Sequence, residues 1–164
     1  MKTTDMKQYP MKVISGGQTG ADRAALDAAI DRDYPIAGAC PKGRLAEDGT
    51  IPERYPLTEI TGGYRARTRK NVQTGDGTLV FYRDELKGGT ALTVSMALKE
   101  RKPLKLIDIS VVEPGLAVEK IREFCIDNQI GTLNVAGPRT SQCAGIYPYV
   151  FEVISELLGD NSGC

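Results

Sequence analysis

The feature that most constrains this chain is a pattern that occurs three times: a short apolar run, a glycine-rich turn, then apolar residues at helical spacing. The first instance runs from Met11-Lys12-Val13-Ile14-Ser15 through Gly16-Gly17 into Ala24, Ala25, Leu26, Ala28, Ala29 and Ile30. In the second, Thr78-Leu79-Val80-Phe81-Tyr82 precedes Gly88-Gly89-Thr90 and a helix carrying Leu92, Met96 and Ala97. In the third, the run over 132–136 meets Gly137-Pro138-Arg139, and Ile146, Val150, Val153, Ile154, Leu157 and Leu158 then form one helical stripe. The runs are apolar rather than alternating, as in strands buried on both faces, which points to a parallel sheet with helices on either side.

Further elements fill in the same plan. A strand is expected over 35–40, a polar loop over 41–56, a strand over 57–60 and a basic helix over 64–74. The loop is longer than connectors usually are, which suggests function or disorder. A strand over 104–109 follows the Lys102-Pro103 break, and Ala117, Ile121, Phe124 and Cys125 mark one face of another helix. Gly159 reads as a left-handed cap on the last helix, and 160–164 as a frayed tail. The expectation is one Rossmann-like, three-layer α/β domain over 1–164, with its ordered core at about 11–159, a mainly parallel sheet and helices on both faces.

With 164 residues, 41% of them hydrophobic, the chain can bury a real core. Its 21 basic and 21 acidic residues balance, so no global field draws it to nucleic acid or to an anionic membrane. No apolar run approaches the ~20 residues of a membrane span, and the opening MKTTDMKQYPMKV lacks the apolar centre of a signal peptide, so a cytoplasmic location is expected. Histidine is absent, which removes Ser-His-Asp and Cys-His hydrolases from consideration. Cys40, Cys125, Cys143 and Cys164 show no metal-binding or dithiol spacing, so no metal ligand is assigned.

Chemistry should gather where the strand-to-helix turns meet. Gly16, Gly17, Thr19 and Gly20, then Gly88, Gly89 and Thr90, then Arg139 and Ser141, offer free N–H groups, helix starts, hydroxyls and a guanidinium to an oxyanion. Any one of these glycines could merely permit a tight turn, but three such turns at one sheet edge favour a phosphate site. Neither G-x-G-x-x-G nor G-x-x-x-x-G-K-[ST] occurs, which disfavours a conventional dehydrogenase or P-loop ATPase. Lys42 and Arg44, with Glu47-Asp48-Gly49, suit a lid, although a solvated loop explains them equally. Arg67 and Asn71 share a helix face at i, i+4. Asn71, Asp76, Asp108 and Asn134 could read a planar heterocycle by paired hydrogen bonds, or could cap turns instead, a reading at least as good for Asp76 before Gly77. Asp22 could orient a ligand or only complement its helix dipole.

Taken together, the stretch from Lys12 to Asp27, Pro41-Lys42-Gly43-Arg44, Ala46-Glu47-Asp48-Gly49, Asn71-Val72, Asp76-Gly77-Thr78-Leu79, Gly88-Gly89-Thr90 and Leu133-Asn134-Val135-Ala136-Gly137-Pro138-Arg139 resemble the molybdenum cofactor carrier proteins. These form a branch of the Rossmann-like superfamily that also holds the cytokinin-activating nucleotide phosphoribohydrolases, once called lysine-decarboxylase-like proteins. The resemblance spans about 12–158. It implies a cytosolic homo-oligomer that binds the molybdenum cofactor, a molybdopterin-type cargo, shields it and hands it to molybdoenzymes without catalysis. The alternative is a nucleotide-binding protein or a phosphoribohydrolase-like enzyme, with Asp22, Asp48 or Asp76 as base. The hydrolases carry P-G-G-x-G-T-x-x-E; here the position three beyond Thr90 is Thr93, a departure that favours binding over hydrolysis. The segment Ile146-Tyr147-Pro148-Tyr149-Val150-Phe151 is the candidate contact between subunits.

Overall fold

The computed structural model describes residues 8–159; the tail expected to fray, with Cys164, lies outside them. The elements run β1 (Lys12–Ile14), α1 (Ala21–Asp31), β2 (Ile36–Ala37), β3 (Ala39–Pro41), β4 (Leu45–Ala46), β5 (Gly49–Thr50), β6 (Thr58–Ile60), α2 (Gly63–Thr74), β7 (Gly77–Tyr82), α3 (Gly88–Lys99), β8 (Leu104–Asp108), α4 (Pro114–Asp127), β9 (Thr132–Ala136) and α5 (Ile146–Gly159). A short 3-10 turn, Thr140–Gln142, precedes α5.

Five strands form one sheet in the order β2-β1-β9-β7-β8, and every neighbouring pair is parallel. Strand β7 is buried along almost its whole length, as its apolar run Leu79-Val80-Phe81 requires. On one face, α1, α4 and α5 pack around Val13, Phe81, Leu133 and Val135 in the main core. On the other, α2 and α3 pack together around Val72, Met96 and Ala97. The amphipathic stripe of α5 is realised in full, with Ile146, Val150, Val153, Ile154, Leu157 and Leu158 all buried.

This arrangement fixes where a ligand can sit. The turn after β1 leads to a helix on one face, and the turn after β7 leads to a helix on the other. Because β9 lies between those two strands, the departing chains part at its carboxyl end and leave a crevice there.

Three local expectations are corrected. The strand expected over 35–40 is broken at Gly38, whose φ is 141° and where a Cβ would lie 1.9 Å from the Ser15 carbonyl. As a result β2 stays in the main sheet, while β3 leaves it to pair in parallel with β6. The loop over 41–56 is ordered and contains the antiparallel hairpin β4–β5, with Glu47 and Asp48 at its tip. Gly159 belongs to α5 and has no left-handed φ; the Arg32 guanidinium of the α1 terminus lies where its side chain would be.

Candidate functional site

The crevice at the end of β9 is a cavity of about 410 Å³, within the usual range for a small-molecule pocket. All three glycine turns reach it. The first supplies Gly16 and Gln18, the second Gly88, Gly89 and Thr90, and the third Gly137 and Arg139; the end of β9 adds Asn134, Val135 and Ala136. A Cβ built on Gly88 or Gly89 meets nothing within 4 Å, so the backbone at the start of α3 is open to an approaching group. Thr90 is buried and lies in the first turn of that helix.

Helix α2 forms one wall through Tyr64, Arg67, Thr68 and Asn71, spaced i, i+3, i+4 and i+7 on one face. The Arg67 guanidinium lies 5.2 Å from the Tyr64 ring centroid, within cation–π range. Its Nη1 donates to the Gly16 carbonyl at 3.4 Å, while its Nε is buried without a hydrogen-bond partner. That Nε–H is a spare donor among the cavity-lining residues.

Asp22 is the acidic residue of the lining. It sits in the first turn of α1, with Oδ2 accepting the Gln18 N–H at 3.2 Å and its own carbonyl accepting the Ser15 hydroxyl at 3.1 Å. Burial pushes its pKa up to about 6, against the opposing pull of Arg67, the Gln18 amide and Arg23. A carboxyl that titrates near 6 can either accept or donate a hydrogen bond close to neutral pH.

The first and third turns are pressed together. Gly20 has φ 82°, and a Cβ there would come within 2.4 Å of the Pro138 carbonyl. The Ala21 N–H donates to that same carbonyl at 3.1 Å. Above this junction lies the tip of the β4–β5 hairpin. The Glu47 carboxylate accepts from the Thr19 hydroxyl, from the Ser141 hydroxyl at 2.5 Å and from the Ser141 N–H at 3.2 Å, and it stands 3.5 Å from Arg139 Nε. These contacts, led by Ser141 and then Thr19, hold its carboxyl below the ordinary range. Asp48 pairs with Arg23 at 2.7 Å.

Of the residues expected to bind a ligand, Gly16, Arg67, Asn71, Gly88, Gly89, Thr90, Asn134 and Arg139 line this one cavity. Thr19, Gly20 and Ser141 are outside the lining, in the junction that holds the hairpin, and Gly17 is packed against Ile51 and Leu57. Lys42 follows β3 and is exposed. Arg44 donates to the carbonyls of Ile51, Pro52, Tyr55 and Leu57 at 2.8–3.2 Å, so its guanidinium organises the base of the hairpin.

Asp76 is at the opposite, amino-terminal edge of the sheet, where Oδ2 accepts the Gly131 and Thr132 N–H groups at 3.0 and 2.8 Å. Asp108 is outside the cavity as well, bonded to Ser110 and to the Asp84 N–H. Thr93, where the hydrolases carry glutamate, lines the cavity and donates its hydroxyl to the Gly89 carbonyl at 3.0 Å.

Sequence reasoning did not place Gln18, Tyr64, Thr68, Leu92 or Gln142 in the site. For Tyr64 and Thr68 a signal existed, since both continue the helical face already marked by Arg67 and Asn71. Gln18 and Gln142 sit in turns without a period, and only the folded backbone brings them to the rim. Cys40, Cys125 and Cys143 are free and buried, and the described residues contain no metal-ligating cluster. No helix among them is long and apolar enough to cross a membrane.

No curated protein matches the chain. A crystal structure from Syntrophus aciditrophicus SB, described as "Putative molybdenum carrier protein", is 44% identical with a TM-score of 0.90, the match covering 94% of this chain and 99% of that one. The model of the circularly permutated YpsA SLOG family matches residues 13–158. A match over nearly the whole chain, on an α/β fold whose cavity lies at the switch point of a parallel sheet, establishes that this chain belongs to the circularly permutated YpsA SLOG family.

Proposed function

We propose that the cavity binds a phosphorylated small molecule, the molybdenum cofactor or its metal-free pterin, and that the protein carries this cargo without transforming it. The observation that carries the reading is the convergence of three glycine turns on one cavity of about 410 Å³, with the start of α3 open toward it. The phosphate lies on the N–H groups of Gly88 and Gly89, where the helix dipole is positive, and Arg139 supplies the charged donor. The ring system lies along α2, where Tyr64 offers an aromatic surface and Asp22, Thr68 and the free Nε–H of Arg67 offer edge contacts. The relative from Syntrophus aciditrophicus SB, and the likeness to molybdenum cofactor carriers, support this choice of ligand.

Homo-oligomeric assembly, transfer to molybdoenzymes and a cytoplasmic location belong to the same proposal. Anaerobic titration of the protein with the cofactor tests it, together with mass spectrometry of ligand released from protein purified without air. Saturable binding is expected. Tighter binding of adenine nucleotides than of the pterin would overturn the choice of cargo.

One observation favours a second reading. Asp22, with a pKa of about 6 inside the cavity, is suited to general acid–base work on a nucleotide. Of the other candidate bases, Asp48 is paired with Arg23 and Asp76 lies at the far edge of the sheet. Release of free base from a nucleoside monophosphate, abolished by Asp22→Asn, would select the enzyme; Thr93 in place of the hydrolases' glutamate argues against it.

A further inference from the structure

The contacts of Glu47 are those of a bound anion. Two hydroxyls, one backbone N–H and a guanidinium, contributed by Thr19, Ser141 and Arg139, converge on a single carboxylate whose side chain is only 20% exposed although the hairpin tip carrying it is exposed. This donor set, neutral hydroxyls and an N–H beside an arginine, is what a phosphoryl group requires. The cradle is continuous with the cavity, because Arg139 belongs to both and because Gln18, on the cavity rim, accepts the Glu47 N–H at 2.8 Å.

We propose that Thr19, Arg139 and Ser141 form a second oxyanion subsite at the cavity rim, which Glu47 fills in the free protein and from which inorganic phosphate or a further anionic group of the ligand displaces it. This rests on the reading of the cavity as the place of a phosphorylated ligand. The hairpin is built for the exchange. Strands β4 and β5 are two residues each and largely exposed, so their tip is held by few contacts other than those of Glu47 and Asp48. Their base is fixed by the four carbonyl contacts of Arg44. The tip can therefore leave while the base remains.

An internal anion that competes with the ligand lowers apparent affinity in proportion to how rarely it vacates the cradle. If the latched state holds nine molecules in ten, affinity is reduced by about tenfold.

The test is calorimetric titration with inorganic phosphate of the wild type, of Glu47→Gln and of Glu47→Gln/Ser141→Ala, with hydrogen exchange followed over residues 45–50. Glu47→Gln should bind phosphate roughly tenfold more tightly. Ser141→Ala in that background should cancel the gain, and phosphate should speed exchange over 45–50 in the wild type. Equal or weaker phosphate binding by Glu47→Gln, or slower exchange over 45–50, overturns the inference. A Gly89→Val variant separates the two readings. Phosphate binding lost in Gly89→Val but indifferent to Glu47 keeps the cavity and removes the subsite, whereas a Glu47→Gln gain that survives Gly89→Val keeps the subsite and removes the cavity.

Discussion

Asn71 holds Ala39 by both of its backbone polar groups: the Asn71 carboxamide accepts the Ala39 N–H at 2.8 Å and donates to the Ala39 carbonyl at 3.0 Å. The side chain borders the cavity, yet its amide is committed to fastening β3 to α2. Removing it leaves two buried backbone groups unpaired. Asn71→Ala should therefore cost about 2–4 kcal/mol of stability in urea unfolding. Asn71→Asp should cost nearly as much, because a carboxylate faces the Ala39 carbonyl in place of a donor.

Asp76 provides the contrasting case. Its carboxylate ties the start of β9 to the start of β7, at the edge away from the cavity. Asp76→Ala should lower stability by about 1–3 kcal/mol while leaving the affinity for any cavity ligand unchanged. Calorimetric titration of the variant below its unfolding temperature checks the second half of that statement.

Asp22 gives the fold a distinctive pH response. Its folded pKa of about 6 lies above its unfolded value, so between about pH 4 and pH 6 the native state keeps a proton that the unfolded chain has released. Stability is lost as pH rises through that window, by about 3 kcal/mol from this group when the shift is converted at about 1.4 kcal/mol per unit. Carboxylates held low, such as Glu47 and Asp108, act in the opposite direction, so the comparison must be with a variant. Asp22→Asn should be more stable than the wild type at pH 7, with the difference vanishing near pH 4. Urea midpoints at the two pH values decide it.

At Gly89 a side chain would enter open space rather than collide with the protein. Valine there should leave the unfolding temperature within a few degrees of the wild type and abolish binding of the phosphorylated ligand. Arg139→Ala should weaken the same binding by about 1.5–3 kcal/mol, the scale of a charged hydrogen bond. Retained affinity in Gly89→Val would remove the start of α3 from the site.

The alternation of strands and helices was legible because it rests on local patterns of burial. The runs at β1, β7 and β9 are buried residue after residue, and the stripe of α5 recurs at helical spacing. The break at Gly38 was not, since it depends on how close the Ser15 carbonyl comes, a contact between segments that sequence spacing does not encode. The site was legible to the same extent. Glycine turns after buried strands must end at one edge, so Gly16, Gly88, Gly89 and Arg139 reach a common cavity. Of the polar residues chosen by type alone, Asn71 and Asn134 reach the cavity, whereas Asp76 and Asp108 lie outside it, where backbone N–H groups take up their hydrogen bonds.

The central position of β9 bears on how the molecule is assembled. Its neighbours are β1, more than a hundred residues earlier in the chain, and β7. Until 132–136 has emerged from the ribosome, β1–β2 and β7–β8 are two separate ribbons, and the edges of β1 and β7 that β9 will cover are bare. Consolidation therefore waits on distant pairing, with slow closure and transiently open strand edges as its kinetic signature. A nascent chain stalled before residue 132 should remain protease-sensitive throughout, and one extended past α5 should become resistant in a single step.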